Sequence, residues 1–184
     1  MDYLRGFIAW IAFAVASSYS LQWGAAAGLV VAVGVLANEL RSGTPAGALV
    51  LDGSSVLFFA AFTSLAFAFP HCPLWGYSGA FSLGWLALTA WGTVAVGRPF
   101  TTGIAKRQAP PVVWEMPFFR RMNTVITSAW ATAFTVTAGS VVAIHAAGLG
   151  SVASQLVQIA GFVLPVAFTR RYVETMRARR AAAR

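Results

Sequence analysis

The chain has 184 residues, of which 58% are hydrophobic and 10% are charged, with a formal net charge of +8. Soluble domains carry about 25% charged residues, so this composition argues against a soluble globular fold. The excess of basic residues does not indicate nucleic-acid binding, because these residues are spread over short segments that flank apolar stretches. The single cysteine, Cys72, excludes an internal disulfide and a cysteine-rich metal site.

The positions of the charges predict a membrane protein. The charged residues fall into four blocks, namely 2–5, 39–52, 98–121 and 170–184. The intervening stretches, which have 33, 45 and 48 residues and contain no charge, are 6–38, 53–97 and 122–169. A charge at the centre of a bilayer costs at least about 2.5–3.5 kcal/mol, so each stretch is long enough to cross and return. We therefore predict an all-α, polytopic membrane fold, since a helix satisfies its own backbone hydrogen bonds in lipid.

Each charge-free stretch contains one break. The polar segment Ser17–Gly24 divides the first, the Pro70–Tyr77 segment divides the second, and His145–Ser151 divides the third. The predicted spans are 4–19, 22–40, 54–69, 77–96, 123–144 and 151–169. Ala14-Val15-Ala16 imitates a signal-peptide cleavage site, but we interpret the N-terminal segment as a retained first span.

Six spans place both termini and all 13 Lys and Arg residues on one side of the membrane. By the positive-inside rule that side is cytoplasmic. The chain is then one transmembrane domain, 1–184, of three helical hairpins, with a cytoplasmic loop, 97–122, and a basic tail, 170–184. A five-span alternative, in which 6–38 is one tilted helix, places only Arg5 outside, so charge does not exclude it.

The most distinctive polar segment is 98–121, where aromatic and basic residues alternate and prolines divide the chain. Such a segment is typical of the headgroup level, with rings in the interface and cations on anionic lipid. A protein partner is a second interpretation, and an ordinary loop anchored by aromatics is the third. The predicted lipid- or partner-binding residues are Arg98, Lys106, Arg107, Trp114, Arg120 and Arg121.

No ionisable residue lies in the middle of a span, which argues against a proton pump or a carrier of charged substrates. Gln155 and Gln158 share a face of the last span, and Thr135 belongs to a hydroxyl-rich face of the fifth. These residues serve helix packing or line a polar pathway, and the second reading predicts a small transporter or channel for a neutral solute. Gly24 and Gly28 form a G-x-x-x-G motif that predicts close helix contact, within the chain or in a homo-oligomer.

Catalytic and metal-binding signatures are missing from the sequence. It contains no G-x-S-x-G, no H-E-x-x-H and no Gly-rich phosphate loop, so we predict a protein that is not an enzyme. His71 and His145 are the candidate ligands, with Cys72, for a metal or haem. Because these three residues have no carboxylate nearby, we predict no metal and no cofactor. The alternative in which the two histidines would bind a cofactor is an accessory subunit of a redox or photosynthetic complex.

From the first hairpin to the basic tail, the order of spans resembles the intracellular septation protein A-like family of bacterial inner-membrane proteins. The residues that carry the resemblance are His71 and Trp75 after the third span, Pro111, Trp114 and Asn123 before the fifth, and Trp130, Phe134 and Gly139 within it. The resemblance implies a protein of the bacterial inner membrane that takes part in envelope maintenance or division through membrane lipids or protein partners, without enzymatic chemistry.

Overall fold

A computed structural model describes residues 5–106 and 109–182, and all the regular secondary structure in these ranges is helical. The α-helices described there are α1 (Ile8–Ala16), α2 (Leu21–Arg41), α3 (Val50–Ala68), α4 (Ser78–Ala95), α5 (Phe100–Lys106), α6 (Pro117–Ala146) and α7 (Gly150–Ala182). Single turns of 3₁₀-helix lie at Arg5–Phe7, Ala46–Ala48, Pro73–Tyr77 and Pro111–Val113. The all-α prediction is confirmed for these residues.

Within the described residues, four helices are long and apolar enough to cross a membrane, namely α2, α3, α6 and the Gly150–Met176 part of α7. The number rises to five if Pro73–Ala95 and α5 are counted as one bent span. Many large apolar side chains on these helices are exposed, as on α7, where Val152, Leu156 and Ile159 are 60–68% exposed. Apolar helix faces of this kind are suited to lipid rather than water. The chain is therefore a multi-pass membrane protein.

Two of the helices match their predicted spans closely, and three extend beyond their predicted spans. The spans 22–40 and 77–96 agree with α2 and α4 to within one residue at each end. Helix α3 begins earlier than expected, and Asp52 in its first turn favours that N-terminus electrostatically. Helix α6 begins at Pro117, a position where the missing N–H of proline costs no hydrogen bond. Helix α7 continues into the basic tail as far as Ala182.

The first predicted span, 4–19, is the element that differs most from expectation. It consists of the Arg5–Phe7 turn followed by the nine residues of α1, and the chain reverses between Ala16 and Leu21. Nine helical residues rise about 14 Å, less than half of a hydrocarbon core of about 30 Å. The stretch 6–38 is thus a hairpin of unequal arms rather than one tilted helix.

The chain forms two compact units, of which the first extends to Trp75 and also contains Arg98–Arg120. Its core is a cluster of aromatic rings from α1 and α3. The ring centroids of Trp10 and Phe58 are 4.9 Å apart, and those of Phe58 and Phe62 are 5.1 Å apart. The indole N–H of Trp10 donates a hydrogen bond of 2.9 Å to the Ser55 hydroxyl, so the polar edge of the ring is satisfied inside the core.

The G-x-x-x-G motif of α2 serves packing within this unit. A Cβ atom at Gly24 would lie 2.6 Å from the Cα of Ser17, at the end of α1. A Cβ atom at Gly28 would lie 2.6 Å from Cε1 of Phe59, whose side chain is completely buried. Both glycines therefore allow α2 to approach its neighbours within the chain.

The second unit contains Gly76–Gly97 and the chain from Arg121 onward. Its core is centred on Trp130, which is 1% exposed and whose indole N–H donates to the Thr169 hydroxyl at 3.1 Å. That hydroxyl in turn donates to the carbonyl of Pro165, the proline inside α7. The predicted break between the last two helices is confirmed, since Gly148 and Gly150 both have positive φ angles there.

Candidate functional site

The segment 98–121 begins with α5, which is fixed to the rest of its unit. Phe100, Thr101 and Ile104 are buried, so this short helix is amphipathic with its apolar side inward. A Cβ atom at Gly103 would lie 2.5 Å from the Cα of Ala48, in the 3₁₀ turn between α2 and α3. The two polar segments of this unit are therefore in direct backbone contact, and the start of the candidate site has a defined position.

Two of the predicted binding residues, Lys106 and Trp114, come together in the structure. The ammonium nitrogen of Lys106 lies 5.0 Å from the ring centroid of Trp114, within the range of a cation–π contact. The indole N–H of Trp114 donates a hydrogen bond of 2.9 Å to the carbonyl of Ala109. The half-buried ring thus holds a cation at the surface while its own polar atom is satisfied.

The remaining predicted cations of the segment are exposed in the structure, apart from Arg107, which lies outside the described residues. Arg98 and Arg121 are exposed, and Arg120 forms an ion pair with Glu115. The side chains of this pair are 68% and 76% exposed, so solvent screens the attraction and the pair adds little stability. The guanidinium groups of these three residues are accessible to an anionic ligand.

Exposed apolar residues lie between these cations, a feature that the sequence analysis did not identify. We call residues 109–117 the proline turn. Within it Val112 is 81% exposed and Met116 is 43% exposed, while Trp114 contacts Lys106. The proline-rich composition of the segment pointed to an interfacial location, but the sequence does not reveal which apolar side chains the turn leaves uncovered.

Two carboxylates on the neighbouring polar segment are buried, a feature that the sequence alone does not reveal. Glu39 and Asp52 are each 8% exposed. The hydroxyl of Thr44 donates a 2.7 Å hydrogen bond to Oε2 of Glu39 and closes the turn after α2. These acids therefore belong to the packed interior of the unit rather than to its accessible surface.

The residues predicted to line a polar pathway have three different environments in the second unit. Thr135 accepts a hydrogen bond from the Trp91 indole at 3.1 Å and donates one to the Ala131 carbonyl. Gln158 donates to the carbonyl and hydroxyl oxygens of Ser154, and its own carbonyl oxygen lies 2.6 Å from the position that a Cβ atom at Gly79 would take. Gln155 is exposed on α7.

The candidate metal or haem ligands lie near helix ends, with His71 and Cys72 in the turn after α3 and His145 in the last turn of α6. His71 is exposed, and Cys72 is half-buried with a free thiol. His145 packs edge-on against Tyr77, with ring centroids 4.3 Å apart, and over the backbone at Gly76. The described residues contain no cluster of three or more His, Cys, Asp or Glu side chains that is arranged to hold a metal ion.

Comparison with protein-family models, with curated proteins and with solved structures finds no match for this chain.

Proposed function

We propose that this protein is a non-enzymatic, multi-pass protein of the bacterial inner membrane that acts by binding anionic lipids or protein partners at a basic cytoplasmic face. The observation that carries the proposal is the composition of the 98–121 surface. It presents the exposed guanidinium groups of Arg98, Arg120 and Arg121, together with Lys106 held over Trp114. Phosphate and carboxylate groups are the natural ligands of such groups.

The topology that belongs to this proposal has six spans, arranged as three hairpins with both termini in the cytoplasm. The positions of the charged residues support this topology, because it places all 13 Lys and Arg residues on the side where the positive-inside rule expects them. The 98–121 surface then faces the leaflet that is rich in anionic lipid. A role in envelope maintenance or division follows from the resemblance to septation protein A-like proteins and is proposed on that ground.

The contacts of the other candidate residues do not favour a second function. Thr135 and Gln158 are occupied with hydrogen bonds inside their own unit, which supports a packing role for them.

The proposal is tested by replacing Arg120 and Arg121 with Gln and measuring the retention of anionic lipid and the co-purification of partners. Each cation near an anionic surface contributes about 1 kcal/mol, so each replacement is expected to weaken lipid binding about fivefold. The matched control is Arg41→Gln, which removes an exposed charge at the end of α2, outside the surface. Unchanged lipid retention and unchanged partners in the double variant would overturn the proposal.

A further inference from the structure

We propose that the proline turn, residues 109–117, is a wedge whose Val112 and Met116 side chains insert into the headgroup region of the adjacent leaflet. The inference deepens the proposed function and rests on it, because it requires the 98–121 surface to face lipid. It names the occupant of the exposed apolar patch as the interfacial layer of the membrane itself, rather than a soluble protein or a second copy of the chain.

The first argument is the exposure of apolar side chains on a turn. Val112 is 81% exposed and Met116 is 43% exposed. Apolar surface of this kind gains free energy when it leaves water, and the boundary between headgroups and acyl chains is the nearest apolar medium for a membrane protein. Helix α6, which the turn precedes, begins at Pro117, and the charge-free stretch that it carries begins at residue 122. The turn is therefore tethered within a few residues of the bilayer surface.

The second argument is the state of the backbone in the turn. Pro110, Pro111 and Pro117 have no N–H group to satisfy. The backbone N–H groups of Val113, Trp114 and Met116 donate to the carbonyls of Pro110, Pro111 and Val113. The indole N–H of Trp114 is bonded to Ala109. Six of the nine backbone positions in the turn therefore have no N–H group or an internally bonded one, which lowers the cost of withdrawing water and suits the turn to the interface.

The third argument is the arrangement of charge around the apolar side chains. Lys106 lies against the Trp114 ring, and Arg120 follows the turn in the first helical residues of α6. Cations in these positions suit the phosphate level while the apolar tip goes deeper. The acid of the turn, Glu115, is paired with Arg120, which reduces its repulsion from an anionic surface. A lipid occupant therefore satisfies the apolar and the charged parts of the surface together.

The experiment places single fluorescent probes on the turn. In a Cys72→Ser background, Val112→Cys and Met116→Cys are labelled with an environment-sensitive fluorophore, and the full-length protein is reconstituted into phosphatidylcholine–phosphatidylglycerol vesicles. The control is Ser42→Cys, an exposed polar position on the other polar segment of the same unit. Lipids that carry a doxyl group near the headgroup end of the acyl chain are expected to quench both probes roughly twofold more than the control.

Each outcome decides the inference. Stronger quenching at residues 112 and 116 than at residue 42 supports the wedge. Quenching equal to that at residue 42 overturns it, as does shielding of the probes from aqueous iodide without quenching by lipid, since that result indicates a protein cover. The proposed function is judged separately. If the doxyl lipids quench the probes while Arg120→Gln and Arg121→Gln leave anionic-lipid retention unchanged, the wedge stands and anionic recognition fails.

Discussion

At the scale of single residues, the ion pair between Glu115 and Arg120 competes with any anionic ligand for the same guanidinium group. Both side chains are largely exposed, so Glu115→Gln is expected to change the free energy of unfolding by less than about 1 kcal/mol. The same substitution removes a negative charge beside the cations and is expected to tighten anionic-lipid binding by up to about fivefold. Native mass spectrometry of lipid retention, combined with thermal unfolding in detergent, measures both effects.

The control for this prediction is the same change in an Arg120→Gln background, where the competition no longer exists. The gain in lipid binding should then become smaller, and it should also diminish in about 1 M salt, where the Debye length is only about 3 Å. A gain of equal size with and without Arg120 would show that Glu115 does not act through this pair.

A second prediction at the residue scale concerns the hydrogen bond that the buried Trp130 donates to Thr169. Trp130→Phe and Thr169→Val each remove one partner, and the double variant removes both. Hydrogen bonds between membrane helices couple by about 0.6 kcal/mol on average, and by up to about 1.7 kcal/mol. We expect a coupling in that range from a double-mutant cycle, measured by reversible unfolding in mixed detergent.

The comparison variant is Trp91→Phe, since Trp91 makes a bond of the same length to Thr135 but is 43% exposed. Trp91→Phe should lower the free energy of unfolding by a smaller amount than Trp130→Phe. The exposed ring loses less packing, and the Thr135 hydroxyl more easily finds another donor. A cycle at Trp130 with no coupling would mean that this hydrogen bond does not contribute to the packing of α6 against α7.

At the scale of helices, the approach of α2 to its neighbours depends on the missing side chains of Gly24 and Gly28. Gly28→Ala places a Cβ atom 2.6 Å from the ring of Phe59, which is completely buried and surrounded by other aromatic rings. Overpacking of this kind costs about 1–3 kcal/mol. The matched control is Gly34→Ala in the same helix, where nothing lies within 4 Å of the added Cβ. We expect a lower unfolding midpoint for the first variant and no loss for the second, measured under identical detergent conditions.

Helix locations could be predicted from the sequence because lipid excludes charge, and this rule acts over whole segments. The ends of α2 and α4 followed to within one residue from this rule together with the polar and proline breaks inside the charge-free stretches. The rule does not locate helix ends inside charged segments, because a helix and a loop are both compatible with water and lipid headgroups. The starts of α5 and α6 lie in such a segment and depend on local contacts, such as that of Gly103 with Ala48. The length of the first helix was overestimated for a related reason, since hydropathy does not distinguish a helix from an apolar turn.

The candidate site was predictable by residue type but not by arrangement. The alternation of aromatic and basic residues identified Lys106 and Trp114, yet their contact depends on how the prolines turn the chain between them. The exposure of Val112 has the same origin. Composition selects the chemistry of an interfacial segment, whereas three-dimensional packing decides which of its side chains remain free to meet a ligand.

At the scale of the whole molecule, once Pro73–Ala95 and α5 are counted as one bent span, the number of spans depends on the first helix. Helix α1 has nine residues, and the next helix, α2, is long enough to cross alone. If α1 together with the residues before it crosses the membrane, the N-terminus is cytoplasmic and the topology has six spans. If α1 only enters the bilayer and returns through the turn at Ser17–Ser20, the N-terminus stays outside, on the same side as that turn. The two topologies differ in one observable, the side on which the first residues lie.

We predict that the N-terminus is cytoplasmic, because the positive-inside rule favours Arg5 on the same side as the other basic residues. Green fluorescent protein does not become fluorescent when it is exported unfolded, so a fusion is bright only if the fused terminus is cytoplasmic. We expect fusions to either terminus to be bright. Cys72, in the turn after α3, serves as the outside marker and should react with a membrane-impermeant maleimide in intact cells. A cysteine at Ser42, in a Cys72→Ser background, should react only after permeabilisation. A dark N-terminal fusion with a bright C-terminal one would reduce the number of spans to five and would leave the 98–121 surface on the cytoplasmic side. Labelling of residue 42 in intact cells would instead place that surface outside.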